Sequence, residues 1–99
     1  MYNNYYYNYD DKRRHYQFLK EVVDTGIQLM RQNPSEQMFV AWLEYSRRVL
    51  ELSSKDDIQN LQVQSYASLV YLLQSQQLPP FEKLSRCIDF LINVMRYSF

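Results

Sequence analysis

The chain contains a single glycine, Gly26, and three prolines among its 99 residues. Tight turns between β-strands need residues that adopt positive φ angles, and glycine is the main one. An antiparallel β protein of this length with one glycine is therefore disfavoured, whereas helices joined by short connections need few such residues. We expect an all-α domain.

Four segments of the chain have helical periodicity, at about residues 11–31, 34–52, 55–76 and 80–96. In the first, second and fourth, the apolar residues fall on one side of the helix and the charged residues on the other, and Trp42 lies near the centre of the second apolar side. Short connections favour antiparallel neighbours, so we predict an antiparallel four-helix bundle. Two stacked αα-hairpins are the alternative, although the two halves of the chain share no repeated pattern.

Local signals mark the predicted helix ends. Asn33 is a good N-cap for the second helix, with Pro34 at the first helical position and Glu36 completing a capping box. A Ser-x-x-acid pattern at residues 53–57 predicts the start of the third helix. The segment Leu78-Pro79-Pro80 predicts the break before the fourth helix, because a residue preceding proline is pushed out of the α region.

Gly26 falls inside the first predicted helix. Glycine there costs about 1 kcal/mol relative to alanine, so it needs a compensating reason. We expect close approach of a neighbouring helix at this position.

The first nine residues contain five tyrosines and three asparagines. This low-complexity composition predicts a flexible arm over residues 1–10, ahead of a single helical domain over residues 11–99. Alternatively, the arm orders on a partner or on a second copy of the chain. Tyrosine gives a large contact area at low entropic cost, which makes Tyr5, Tyr6 and Tyr7 candidate binding residues.

A stretch of 24 residues, Ile58–Phe81, contains no Asp, Glu, Lys, Arg or His. Glutamine, asparagine and serine interrupt it too often for a membrane span. A polar but uncharged helix suits coverage by other protein, because interface cores are depleted in charge. The alternative is that the third helix is the central, most buried helix of its own bundle.

Several residues of the third and fourth helices are predicted to bind a partner. Tyr71, Phe90 and Tyr97 are aromatic residues that fall outside the apolar sides of their helices. Aromatic residues exposed beside an uncharged helix suggest a surface that another protein covers. The predicted partner-binding residues are Tyr71, Phe90, Tyr97, Gln64, Ser68, Tyr5, Tyr6 and Tyr7.

Residues able to support catalysis are sparse. The only histidine, His15, and the only cysteine, Cys87, both fall on apolar helix sides, and no metal-ligand spacing is present. A phosphate-binding loop needs several glycines. The carboxylate pairs at residues 10–11 and 56–57 lie at predicted helix starts, where capping explains them. We expect no enzyme, no cofactor and no metal.

The sequence therefore predicts a non-enzymatic protein–protein interaction module: a homo-oligomer, an adaptor or an inhibitor that regulates a larger protein. The alternative is nucleic-acid binding through the arm and the basic cluster Lys12, Arg13 and Arg14. Eleven basic and eleven acidic side chains give zero net charge, which argues against nucleic acid and anionic membranes. One cysteine and the absence of a signal-peptide pattern predict a soluble, cytoplasmic protein.

Overall fold

The computed structural model describes the backbone of residues 2–52 and 57–98, and the side chains of residues 13–52 and 61–97. Four α-helices follow one another: α1 spans Tyr2–Met30, α2 spans Glu36–Leu52, α3 spans Asp57–Ser75 and α4 spans Pro80–Ser98. No β-strand occurs within these described residues. The prediction of an all-α chain is confirmed.

The four helices close into a ring. α1 packs against α2 and α4, α3 packs against the same two helices, and α2 also contacts α4 across the bundle. The described residues of α1 and α3 make no contact, so these two helices occupy opposite corners. Stacked hairpins would place α1 on α3 and keep α1 away from α4. The predicted antiparallel four-helix bundle is therefore the correct arrangement.

Apolar side chains from all four helices fill the space between them. Trp42 is buried, as the sequence predicts. Its indole Nε1 donates a hydrogen bond to the backbone oxygen of Val22 at 2.9 Å, which satisfies the one polar group of the ring. The other buried apolar side chains are Leu19, Val22, Val23, Phe39, Leu43, Leu50, Tyr66, Val70, Leu73, Leu84, Cys87, Ile88, Leu91 and Val94.

Gly26 allows α2 and α4 to approach α1 closely. A Cβ atom at this position would lie 2.9 Å from Trp42 Cζ2 and 3.0 Å from Ile88 Cδ1. Carbon atoms in favourable contact are about 3.5–4.0 Å apart, so no room remains for a side chain. The interpretation of Gly26 as a point of close approach is confirmed.

The start of α1 differs from the prediction. The helix begins at Tyr2 rather than at about residue 11, so residues 2–10 are helical. Tyrosine and asparagine are at most about 0.7 kcal/mol less favourable than alanine in a helix, and neither glycine nor proline interrupts this segment. The side chains of Tyr5, Tyr6 and Tyr7 lie outside the described residues, and the division into an arm and a domain stays a prediction.

The connection between α1 and α2 corrects the predicted cap. Asn33 has a φ angle of 52°, in the left-handed region where asparagine is enriched, and it turns the chain after α1. Ser35 is the N-cap of α2, because its Oγ accepts a hydrogen bond from the Met38 N–H at 3.2 Å. α2 begins at Glu36, so Pro34 lies in the connection. Because Asn33 adopts the left-handed conformation that ends α1, it cannot also be the N-cap of α2.

The connection between α3 and α4 follows the prediction. α3 ends at Ser75 and α4 begins at Pro80, so the proline-rich break is confirmed. The Pro79 carbonyl accepts the backbone N–H of Glu82 at 3.0 Å and of Lys83 at 3.2 Å, which forms the first turn of α4. The predicted caps at residues 53–56, before α3, lie outside the described residues.

Candidate interaction surface

α3 is a corner helix, not the central helix of the bundle. Over residues 61–75, the buried side chains are Tyr66, Val70 and Leu73, which face α2 and α4. The remaining side chains of this range are exposed or half-buried. Burial inside its own bundle therefore does not explain why α3 lacks charge.

The exposed side of α3 combines apolar and uncharged polar residues. Leu61 is 61% exposed, Leu72 is 52% exposed and Tyr71 is 77% exposed. Gln64 and Ser68, both predicted to bind a partner, are exposed on the same side. We name this surface the outer α3 face; its members are Leu61, Gln64, Ser65, Ala67, Ser68, Tyr71, Leu72, Gln74 and Ser75.

Phe90 does not project into solvent, so its predicted outward placement is wrong. It is half-buried against the core, and its ring lies 5.3 Å from the ring of Tyr66, with the two planes tilted by 32°. The helical period correctly places Phe90 away from the centre of the apolar side. However, α4 contacts all three other helices, and α3 covers the side of α4 that carries Phe90.

A groove runs between α3 and α4 beside the outer α3 face. Its volume is about 280 Å³, and all of its lining residues are uncharged. Tyr97 stands at one end and is 79% exposed, in agreement with its predicted outward position. We name it the α3–α4 groove; it is lined by Gln62, Ser65, Phe90, Asn93, Val94 and Tyr97.

The structure separates the predicted aromatic anchors. Phe90 and Tyr97 both line the α3–α4 groove. Tyr71 lies about 120° around α3 from Ser65, at 3.6 residues per turn, and therefore on the flank nearer α2. One small ligand cannot contact Tyr71 and Phe90 of the same chain at once.

A buried polar group joins α2, α3 and α4 beneath the outer α3 face. The Ser46 and Tyr66 hydroxyls share a hydrogen bond of 2.6 Å, and Ser46 Oγ donates to the Leu43 carbonyl at 2.8 Å. Tyr66 also hydrogen-bonds Cys87. Sequence reasoning missed this group, although Ser46 follows Leu43 and Trp42 at helical spacing and so falls on the apolar side of α2.

Burial keeps both acidic groups of this network neutral. Loss of hydration raises the pKa of Tyr66 well above its ordinary value, and the nearby Cys87 raises it further. Burial raises the pKa of Cys87 to about 11, and its hydrogen bond with Tyr66 opposes part of that rise. A thiol with this pKa is a poor nucleophile at neutral pH. The role that the network does have is structural, because its hydrogen bonds join helices of the bundle.

Lys83 is a second buried polar residue that sequence reasoning missed. It is 6% exposed, and its Nζ lies 3.0 Å from Glu36 Oε1. The same ammonium group lies 5.8 Å from the centre of the Phe39 ring. These contacts join the start of α4 to the start of α2, which indicates a structural role.

A second groove, between α1 and α4, has a different character. Its volume is about 400 Å³. Apolar residues such as Ile27, Phe81 and Ile92 line it, but so do the charged residues Arg31 and Asp89. It is larger than the α3–α4 groove, yet it opens onto a charged surface.

The basic cluster of α1 is partly described. Arg13 and Arg14 are exposed, and the side chain of Lys12 lies outside the described residues. Further along α1, Lys20 Nζ lies 3.7 Å from Asp24 Oδ2. Both acidic and basic groups therefore occur on the outward side of α1. His15 is buried, in agreement with its predicted place on the apolar side of the first helix.

Comparisons with known proteins do not assign a function. No match to the chain was found among protein-family models, curated proteins or solved structures. Within the described residues, no helix is long and apolar enough to cross a membrane, and no group of three or more His, Cys, Asp or Glu side chains is placed to hold a metal ion. The surface chemistry of the bundle is therefore the basis for inferring a function.

Proposed function

We propose that this chain is a small, non-enzymatic protein–protein interaction module that binds through the outer α3 face and the adjoining α3–α4 groove. The observation that carries the proposal is an exposed helix side with Leu61, Tyr71 and Leu72 and no charged residue. The cores of protein interfaces are depleted in charged residues and enriched in tyrosine and other aromatic residues.

The polar members of the surface also suit a protein partner. Serine and glutamine side chains on the outer α3 face both donate and accept hydrogen bonds, and burying them involves no loss of charge hydration. Tyr71 is the most exposed aromatic residue of the face, and as a binding anchor it would contribute about 2 kcal/mol or more. Such a surface fits a homo-oligomer, an adaptor or an inhibitor that regulates a larger protein.

The proposal includes a reducing, cytoplasmic location. Its support is Cys87, a free and buried thiol in a chain with no second cysteine.

Two charged substitutions at matched positions test the proposal. Ser68→Glu places a charge on the outer α3 face, and Gln28→Glu places the same charge on the exposed side of α1. In extracts of the cells that produce it, we expect the tagged wild-type chain to elute from a sizing column well above its 12.1 kDa mass. We expect Ser68→Glu to elute as a monomer and Gln28→Glu to elute like the wild type.

Two results would contradict the proposal. One is a wild-type chain that elutes as a monomer in those extracts, and the other is equal behaviour of the two variants. A large complex that dissociates with nuclease or with moderate salt would instead favour the nucleic-acid alternative, since phosphate contacts weaken steeply as salt rises. The observation that supports this alternative is the exposure of Arg13 and Arg14.

A further inference from the structure

We propose that the groove between α1 and α4 binds a short apolar peptide, about three residues long, whose amino and carboxyl ends are both free. The groove is lined by five apolar residues, one serine and two residues of opposite charge, Arg31 and Asp89. It shares no residue with the outer α3 face or the α3–α4 groove, so this site is separate from the surface in the proposed function.

The groove has the size and lining of a small-ligand site. Its volume of about 400 Å³ falls within the roughly 300–1,000 Å³ of such sites, which combine apolar walls with a few polar groups. It also exceeds twice the roughly 150 Å³ of a cavity that holds benzene, so two apolar side chains of that size fit in it. Its apolar lining includes Ile88, which is buried, and Ile27 and Ile92, which are half-buried.

Arg31 and Asp89 place opposite charges at different levels of the groove. α1 and α4 are antiparallel, and Gly26 of α1 lies against Ile88 of α4. Arg31 comes five residues after Gly26, and Asp89 follows Ile88 by one residue in the opposite direction along the bundle. At 1.5 Å per residue, Arg31 and Asp89 are therefore roughly 9 Å apart along the bundle axis.

Neither of these two charges is neutralised by a neighbouring side chain. Within the residues that the structure describes, the side chains of Arg31 and Asp89 form no ion pair or hydrogen bond, either with each other or with another group. A ligand with one charge would bring that charge towards a group of its own sign. A ligand with a carboxylate at one end and an ammonium group at the other end complements both residues.

An extended tripeptide meets these requirements. Three residues span at most roughly 10 Å, which matches the separation of Arg31 and Asp89. The first and third side chains of an extended peptide point to the same side, so both can enter the groove. The groove is open, since Phe81 in its lining is 48% exposed, and the peptide backbone therefore keeps its hydrogen bonds to water. The carboxyl end then lies near Arg31 and the amino end near Asp89.

The open site sets the expected affinity. A ligand of this size in an open groove should bind weakly, and we expect a dissociation constant between about 10 μM and 1 mM. Arg31 and Asp89 are both exposed, and exposed ion pairs contribute little. Removing either charge should therefore weaken binding only roughly three- to tenfold.

The first test is an NMR titration of the isotope-labelled full chain with the tripeptide Leu-Ala-Leu. Its leucines occupy the first and third positions, and its alanine faces water. We expect chemical-shift changes at the residues that line the α1–α4 groove and none on the outer α3 face. The control peptide Ser-Ala-Ser carries the same charges without the apolar side chains, and it should bind at least about tenfold more weakly.

The second test pairs each end of the peptide with one residue. Amidation of the carboxyl end should weaken binding to the wild type but not to Arg31→Gln. Acetylation of the amino end should weaken binding to the wild type but not to Asp89→Asn. Glu44→Gln and Arg48→Gln remove exposed charges on α2 and are the controls, so both should bind the peptide like the wild type. Circular dichroism should show equal helicity in all four variants.

The outcomes separate this inference from the proposed function. Absence of chemical-shift changes in the groove at about 5 mM Leu-Ala-Leu overturns the inference. Binding that is unaffected by blocking both ends of the peptide, or that either modification weakens equally in every variant, overturns it as well. Ser68→Glu changes only the outer α3 face and should leave peptide binding unchanged, so failure of either proposal does not decide the other.

Discussion

α1 and α3 hold equivalent places in the bundle but present different surfaces. Each is a corner helix that packs against α2 and α4. The outward side of α1 carries mixed charges, including the exposed pair Lys20 and Asp24, whereas the outer α3 face carries none. Since each of these helices buries only one of its sides, the fold does not require this difference on the outward sides. The uncharged corner is therefore the better candidate for a function.

The two corners also differ in how they join the core. α1 is held by Trp42, which hydrogen-bonds Val22 and lies against Gly26. α3 is held by Tyr66, through the polar network with Ser46 and Cys87. Of these two anchors, only the network of Tyr66 and Cys87 contains groups that lose a proton at alkaline pH, so the two corners can be tested separately by mutation and by pH.

The largest expected effect is at the α1 corner. We predict that Trp42→Ala lowers the free energy of unfolding by about 3–5 kcal/mol, because the substitution removes a buried ring and leaves a cavity beside Gly26. Urea unfolding followed by circular dichroism measures the change. Unchanged stability would mean that Trp42 does not hold α1 against the bundle.

Alkaline pH should act mainly through the α3 corner. The pKa of Cys87 is about 11 in the folded chain against an ordinary 9.0, so the folded state keeps its proton where the unfolded state loses it. The contribution of Cys87 to the free energy of unfolding is therefore fully present below pH 9. It falls by about 2–3 kcal/mol in total as the pH rises toward 11. Tyr66, whose pKa is also raised, should extend the loss to higher pH.

Cys87→Ala separates the thiol from the other groups that titrate in this range. Urea unfolding at several pH values should show a shallower loss between pH 9 and pH 11 in the variant than in the wild type. An identical pH dependence in the two proteins would show that the thiol is not held protonated by burial.

The smallest expected effect is on the outward side of α1. Lys20→Ala removes one member of an exposed i,i+4 ion pair, and we predict a change in stability of no more than about 0.5 kcal/mol. Its association should equal that of the wild type in the sizing experiment. A marked loss of association would show that the charged corner, rather than the uncharged one, contacts the partner.

Much of the fold could be predicted because local rules decide it. Helical periodicity located four helices, and the single glycine inside a helix pointed to the close contact that Trp42 makes with α1. The ends of the helices were harder to predict, because capping depends on the backbone conformation of a single residue. With Asn33 in the left-handed region, Ser35 became the cap of α2.

The candidate surface could be predicted only in part. The sequence alone shows that α3 lacks charged residues. The exposure of α3, however, depends on α1 packing against α4, and no local sequence pattern reveals that packing. Phe90 shows the same limit. The helical period gives its angle on α4 correctly, but it contains no information about the neighbouring helix that covers it. Lys83, Ser46 and Tyr66 were missed as a polar framework because their partners lie on other helices.

Site-specific photo-cross-linking in the cells that produce the protein tests whether the outer α3 face is the surface that binds a partner. A photoreactive residue replaces Ser68 on the outer α3 face or, in the control, Gln28 on α1. We predict that irradiation yields a discrete protein adduct from the Ser68 position, either a homodimer or a larger complex, and none from the Gln28 position. Equal adducts from both positions, or an adduct from Gln28 alone, would show that the outer α3 face is not the binding surface.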